Sequence, residues 1–239
     1  MKGKNNNLQS IVMSETINVQ DVTNDPAAKA KDFFTRNSKV ILGVGLVLLL
    51  AVGGYYVYKH FFQGPKEEKA SNAIFKAESY FRADSLNLAL NGDGQNPGFL
   101  KIISNYGGTS AGNLAKYYAG VCYVRLDDNA NAVKYLKDFS TDAKQVQQRA
   151  YSLLADAYAD LGQSKDALEY YKKAAGQFEE DENAAAENLF RGAYLAQRVI
   201  KDNAEAIKLY KELKEKFPGS TQASDADNYL AQLGVYNVN

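Results

Sequence analysis

Apolar residues occur in two regimes along this chain. From Val40 to Tyr58 they run without a single charged residue, VILGVGLVLLLAVGGYYVY. At about 1.5 Å per residue that stretch spans roughly 28 Å as a helix, close to the hydrocarbon thickness of a bilayer. Beyond it the apolar positions become periodic. Ala70, Ile74, Ala77, Phe81 and Leu88 recur at steps of three, four and seven, which predicts one helix over Glu67–Leu90. Gln63-Gly64-Pro65 predicts a break before that helix, and Asn91-Gly92-Asp93-Gly94-Gln95-Asn96-Pro97 a loop after it. A short helix from Phe99 to Tyr106 follows. Gly107-Gly108 closes it, and Thr109 or Ser110 can cap the next.

The remainder repeats. Ala119-Gly120-x-x-Tyr123…Ala132-x-x-x-Leu136 aligns with Leu154-Ala155-x-x-Tyr158…Ala167-x-x-x-Tyr171. A third copy has Ala206-x-x-x-Tyr210…Phe217-Pro218. Ala132, Ala167 and Ala206 lie about 35 and about 39 residues apart, near the period of two-helix solenoid repeats. Small residues on both helices (Gly120, Ala155, Ala132, Ala167) let backbones approach, and Tyr123, Tyr158, Tyr171 and Tyr210 fill the space beside them. One such pair has too little core of its own, so pairs must stack.

This pattern resembles the tetratricopeptide repeat, most fully in Tyr151, Leu154, Ala155, Tyr158, Gly162, Ala167, Tyr171 and Ala174. The first copy departs from it with Asp127 at the turn glycine. The third departs with Tyr194 at a usually small position. The longer second interval is assigned to a longer inter-repeat loop at the acidic stretch Glu179–Glu182. The expected architecture is all-α: one N-terminal transmembrane helix, then a right-handed α-solenoid of three to four helix pairs with a C-terminal cap. Residues 1–39 are a cytoplasmic disordered tail, aperiodic before about Asp25, and 40–62 the transmembrane signal-anchor. Residues 66–239 are the repeat domain, with units at about 67–106, 113–146, 148–181 and 187–220. The cap, at 221–233, has Ser220 or Thr221 as its N-cap.

The apolar stretch reads as an uncleaved anchor. A long tail precedes it, and its exit, Tyr55-Tyr56-Val57-Tyr58-Lys59, has no small-residue cleavage pattern. Lys29, Lys31, Arg36 and Lys39 lie before it. After it come Lys59, then Lys66 and Lys69 offset by Glu67 and Glu68. The positive-inside rule therefore puts the N-terminus in the cytoplasm and the repeats outside it; in a Gram-negative cell that means an inner-membrane anchor and a periplasmic repeat domain. Phe33 and Phe34 make an inner aromatic belt; Tyr55, Tyr56, Tyr58, Phe61 and Phe62 make an outer one. Met13-Ser14-Glu15-Thr16 reads as a natural translation start. Gly45, Gly53 and Gly54 permit close contact with another transmembrane helix.

Composition then removes classes of chemistry. The 28 basic residues balance 28 acidic ones, which argues against a dedicated nucleic-acid binder. One cysteine, Cys122, allows no intrachain disulfide and reads as a buried small apolar residue. The one histidine, His60, sits at the membrane exit and reads as interfacial. With one of each, no zinc site of the usual kind and no Ser-His-Asp or Cys-His set can be assembled. The Asn91–Asn96 loop has calcium-like oxygens without EF-hand spacing. Glu179-Glu180-Asp181-Glu182 reads as a solvated loop and helix start. No catalytic role and no cofactor are expected.

What remains is a recognition surface. In tetratricopeptide solenoids the first helix of each pair lines the concave face. Carrying over the family's groove positions, the resemblance implies Tyr117, Val121, Val124 and Arg125 in one unit. In the next it implies Ser152, Asp156, Ala159 and Asp160, and then Arg191, Leu195 and Arg198. This mixture suits protein or peptide segments. The whole layout resembles the YfgM-like family of ancillary SecYEG translocon subunits, and the stretch NLALNGDGQNPGFLKIISNYGGTSAGNLAKYYAG resembles anchored repeat proteins of Bacteroidota. That resemblance implies association with the Sec translocon and with a membrane-anchored periplasmic prolyl isomerase, and contact with secreted or outer-membrane clients. The alternative is a structural scaffold of an envelope assembly or secretion complex that binds no clients.

Overall fold

A computed structural model describes residues 26–236, in two compact units that part between His60 and Phe61. The readings made for residues before Pro26, the start at Met13 among them, and for the side chains of His60 and Phe62 lie outside the described residues. The first unit holds α1 (Pro26–Arg36) and α2 (Ser38–Val57), with Asn37 between them. Regular structure therefore begins well inside the segment read as a disordered tail. Pro26 pre-sets the first turn and the alanines after it are strong helix formers, which local polarity conceals. α2 has a mean hydropathy of 2.3 and no buried residue, and by length and composition it can cross a membrane.

The second unit contains ten helices among the described residues. They are α3 (Gly64–Arg82), α4 (Leu86–Asn91), α5 (Phe99–Tyr106), α6 (Ser110–Arg125), α7 (Asn129–Lys137), α8 (Lys144–Asp160), α9 (Ser164–Gln177), α10 (Glu182–Leu195), α11 (Asn203–Lys216) and α12 (Thr221–Gln232). The predicted break at Gln63-Gly64-Pro65 is not a loop. Tyr58–Gln63 are π-helical and α3 starts at once, with Pro65 in its first turn, where a missing N–H costs nothing.

The predicted helix over Glu67–Leu90 is two helices. Asp84 adopts a left-handed conformation, φ 57°. Its N–H donates to Phe81 O at 3.1 Å, and Ser85 N–H donates to Tyr80 O at 2.9 Å. This paired closure of a helix end recurs at Asp127-Asp128, Gly162-Gln163 and Gly234-Val235, whose N–H groups return to the carbonyls three and five residues back. Four residues beyond the second member come Ala89, Ala132 and Ala167, all fully buried. The turn of the first pair is thus at Ala83–Ser85, and the Asn91–Pro97 loop does not join two helices of a pair. It interrupts the second one: α4 and α5 both pack on α3 and on α6. Asp93 ties this loop, accepting from Gln95 N–H, Asn96 N–H, Asn96 Nδ2 and the Tyr80 hydroxyl at 2.6–2.9 Å. The Tyr80 hydrogen bond, helped by those from Asn96, holds its carboxyl well below the usual range.

The acidic stretch is not a longer loop either. Residues 178–181 form a shorter connection than residues 138–143. The extra length lies in α9, 14 residues against 9 in α7, and in a π-helical extension of α10 over Ala196–Ile200. That insertion moves the next closure by one residue: Asp202 N–H reaches Ala196 O, six residues back, and Lys201 takes φ 64°. Lysine gains nothing from this conformation. Lys201→Gly is expected to raise stability by about 0.5–1 kcal/mol, part of the left-handed penalty being offset by glycine's larger unfolded-state entropy. Denaturant midpoints of the two proteins measure it.

The core is serial. Ala70, Ile74, Phe99, Ile102 and Cys122 belong to one cluster, Leu136, Leu154, Tyr158 and Tyr171 to a second, Leu189, Leu209, Tyr210 and Leu230 to a third. Tyr123 bridges the first two and Leu168 the last two. Tyr123 stacks on Tyr135, and Tyr158 stacks on Tyr170, at the same places in successive pairs. The Cys122 thiol is fully buried; desolvation pushes it up to about 12 against the pull of Arg125. Native protein at pH 8 should therefore resist iodoacetamide and react only after denaturation, as intact mass will show.

A candidate protein-binding cleft

First helices α6, α8, α10 and α12 follow one another along the array, and a chain of polar contacts crosses the last three. Asp156 on α8 accepts from Arg191 Nη1 on α10 at 2.9 Å. It also accepts from the Tyr171 hydroxyl at 2.6 Å. Arg191 Nε donates to Glu187 at 2.6 Å, and the other Glu187 oxygen accepts from Gln222 of α12 at 2.9 Å. Desolvation opposes charge on Glu187, but the bonds from Arg191 and Gln222 outweigh it and its carboxyl falls below the ordinary value. Burial, then the Asp156 bond, raises the Tyr171 hydroxyl.

Beside this chain an open cleft of about 390 Å³ lies between α10, α12 and Tyr171. Phe190, Tyr194, Leu195 and Val199 supply its apolar surface. Arg191, Glu187, Gln222 and Asp225 supply its polar rim. Tyr194 is 43% exposed and Val199 55%. An aromatic group of Phe190, Tyr194, Tyr210 and Tyr229 backs the cleft, with Tyr210 stacked on Tyr229 at 5.4 Å. Arg198 covers Tyr194 and Tyr229 at 6.0 and 5.9 Å and donates to Gln232 at 2.7 Å. Rigid aromatic surface beside oriented donors and acceptors is the chemistry of peptide recognition.

The residues carried over from the resemblance divide. Asp156 and Arg191 meet directly, Leu195, 9% exposed, lines the cleft, and Arg198 lies against its aromatic wall. Arg125 is bound elsewhere: it pairs with Asp84 and lies over the Phe81 ring. Tyr117, Val121, Val124 and Ala159 are partly buried against the second core cluster. Asp160 is exposed and accepts from Asn129 at 3.4 Å; Ser152 is half-buried on α8. Glu187, Phe190, Val199, Gln222 and Asp225 escaped the sequence reading. The spacing of Glu187 from Gln222 equals that of Asp156 from Arg191, so α12 acts as one more first helix as well as a cap. Val199 had no such signal, because the π turn decides where it points.

In the first unit, Gly45 and Gly53 share one side of α2 with Leu48, Leu49, Val52 and Tyr56, an open apolar furrow. Gly54, nine residues from Gly45, falls on the opposite side of the helix. Among the described residues no three His, Cys, Asp or Glu side chains cluster as a metal site.

No curated protein matches the chain. The family model of the tetratricopeptide repeat matches residues 114–143 and 187–220, the segments of α6–α7 and α10–α11. With the same turn and the same buried alanine recurring around the matched segments, the second unit carries tetratricopeptide repeats and is a module of the kind that binds proteins.

Proposed function

We propose that this protein is a membrane-anchored interaction module that works beside the Sec translocon, holding segments of secreted or outer-membrane polypeptides and meeting a membrane-anchored periplasmic prolyl isomerase. The observation that carries the binding role is the α10–α12 cleft, where Tyr194 and Val199 stay exposed beside the Arg191–Glu187 pair. An apolar floor with a polar rim suits an extended segment that brings one or two apolar side chains and main-chain groups. In this reading α2 crosses the inner membrane, the basic side at Lys29–Lys39 is cytoplasmic and the repeats are periplasmic. The furrow at Gly45 and Gly53 is then the contact for a translocon helix.

The test is photocrosslinking in cells from a reactive amino acid at Tyr194, with pull-down of the solubilised native protein. A spread of nascent-chain adducts together with translocon subunits supports the proposal. One discrete adduct, with no translocon subunits recovered, replaces it with the scaffold role.

A further inference from the structure

The membrane reading leaves α1 unexplained. It is an 11-residue helix whose described side chains are all exposed. At helical spacing Ala27, Ala30, Phe33 and Phe34 fall on one side, and Asp32, Thr35 and Arg36 on the other. Lys29 and Lys31 flank the apolar side, one at each edge. Phe33 and Phe34, 60% and 59% exposed, meet edge to face with centroids 6.0 Å apart. Nothing among the described residues covers this apolar face.

Its position in the chain says what does. α1 ends at Arg36 and α2 begins at Ser38. Asn37, the residue between, leaves the α conformation with φ −107° and ψ 13°. Its side-chain amide and its N–H both donate to Phe33 O, each at 3.0 Å, closing the end of α1. A helix that ends within one residue of a membrane span ends in the headgroup layer. There an apolar face edged by lysine has a natural place: aromatic rings enter the boundary with the acyl chains, and the Lys31 stem reaches outward to the headgroups. The charge names the lipid. Lys31, Arg36 and Lys39 outnumber Asp32 between residues 31 and 39.

We infer that α1 is an interfacial helix that lies on the membrane surface and binds anionic lipid, with Asn37 as the joint to the span. The inference rests on α2 being a span. Each basic residue near an anionic surface adds to the attraction, and salt screens it. The helix would hold the chain at a fixed depth and rotation and enrich acidic lipid around α2.

The chain has no tryptophan, so single replacements report cleanly. Full-length Ala30→Trp, Phe34→Trp, Thr35→Trp and Leu48→Trp proteins would be reconstituted in phosphatidylcholine vesicles with and without phosphatidylglycerol. With anionic lipid, emission from Ala30→Trp and Phe34→Trp should shift to shorter wavelength and be quenched by lipids brominated near the headgroup. Thr35→Trp should stay open to acrylamide, and high salt should reverse part of the shift. Leu48→Trp should be quenched by lipids brominated deep in the chain in every vesicle. Equal acrylamide access at Ala30→Trp and Thr35→Trp, with Leu48→Trp still quenched, would overturn the surface helix and leave the span intact. Protection of Ala30→Trp that is the same without phosphatidylglycerol would overturn the lipid preference. An unquenched Leu48→Trp would remove the span and the inference with it.

Discussion

Gly112→Ala is expected to destabilise the second unit by about 3 kcal/mol or more, the upper end for forcing an atom into a packed core. Gly112 is buried at the start of α6. A Cβ there would sit 1.9 Å from Tyr106 O and 2.9 Å from Gly107 Cα. Both are backbone atoms, so no rotamer change relieves the clash. The local hydrogen bonds allow no retreat either. Thr109 caps α6 by accepting from Gly112 N–H at 2.9 Å, while its own hydroxyl donates to Tyr106 O at 2.7 Å. Glu67, from the first turn of α3, accepts from the N–H groups of Ser110 and Ala111. Moving α6 to admit the methyl group would break three of these contacts at once. Gly176→Ala is the control of opposite sign. Its Cβ meets nothing within 4 Å in the last turn of α9, so it should stabilise by about 0.5–1 kcal/mol. Urea unfolding of the detergent-solubilised proteins, followed by circular dichroism, measures both. Equal midpoints for Gly112→Ala and the parent would refute the packing argument.

The second large effect concerns binding. Val199→Asp should abolish most client crosslinking, with an affinity loss of at least about tenfold, because an uncompensated carboxylate would be desolvated by any apolar segment in the cleft. Tyr194→Ala should cost about 2 kcal/mol of binding, the loss typical of a central aromatic contact. Neither site is buried, so melting temperatures should stay near the parent's for Val199→Asp and fall only slightly for Tyr194→Ala, which gives up its ring contacts with Phe190 and Tyr229. Arg125→Ala serves as the comparison. The resemblance implies a groove position for it too, yet its pairing with Asp84 predicts unchanged binding. Crosslinking yield at a fixed client concentration, read alongside the melts, separates the three. Loss of binding in Arg125→Ala with none in Val199→Asp would move the site to the other end of the array.

Much of the architecture was legible because it depends on local periodicity. The unbroken apolar run from Val40 to Tyr58 and the recurring alanines at Ala132, Ala167 and Ala206 each carry their own signal, and the helices stand where that signal lies. Asp127 at a glycine position was visible too, and it takes φ 59° there. Asp84 performs the same turn without any glycine or proline to mark it, so the apolar period ran past it and two helices read as one. The lengthened interval before Ala206 was visible as a number. Its placement was not, since a chain can absorb residues in a loop, a longer helix or a π turn, and only packing of α9 against its neighbours selects among them.

The candidate cleft shows the same division. The residue types of the groove were available from repeat positions, but contacts between successive helices were not. Asp156 and Arg191 lie 2.9 Å apart because α8 and α10 are set side by side, whereas Arg125 one repeat earlier turns to Asp84 instead. By itself the sequence determined the apolar span, the helical class and the repeat, since each follows from the spacing of apolar and small residues along one helix. Tertiary structure alone decided where the second helix of the first pair is interrupted, which carboxylate each arginine meets and that Val199 stays exposed beside Tyr194. Those outcomes depend on distances between helices far apart in the chain and on one inserted residue at a helix end, neither of which leaves a period to read.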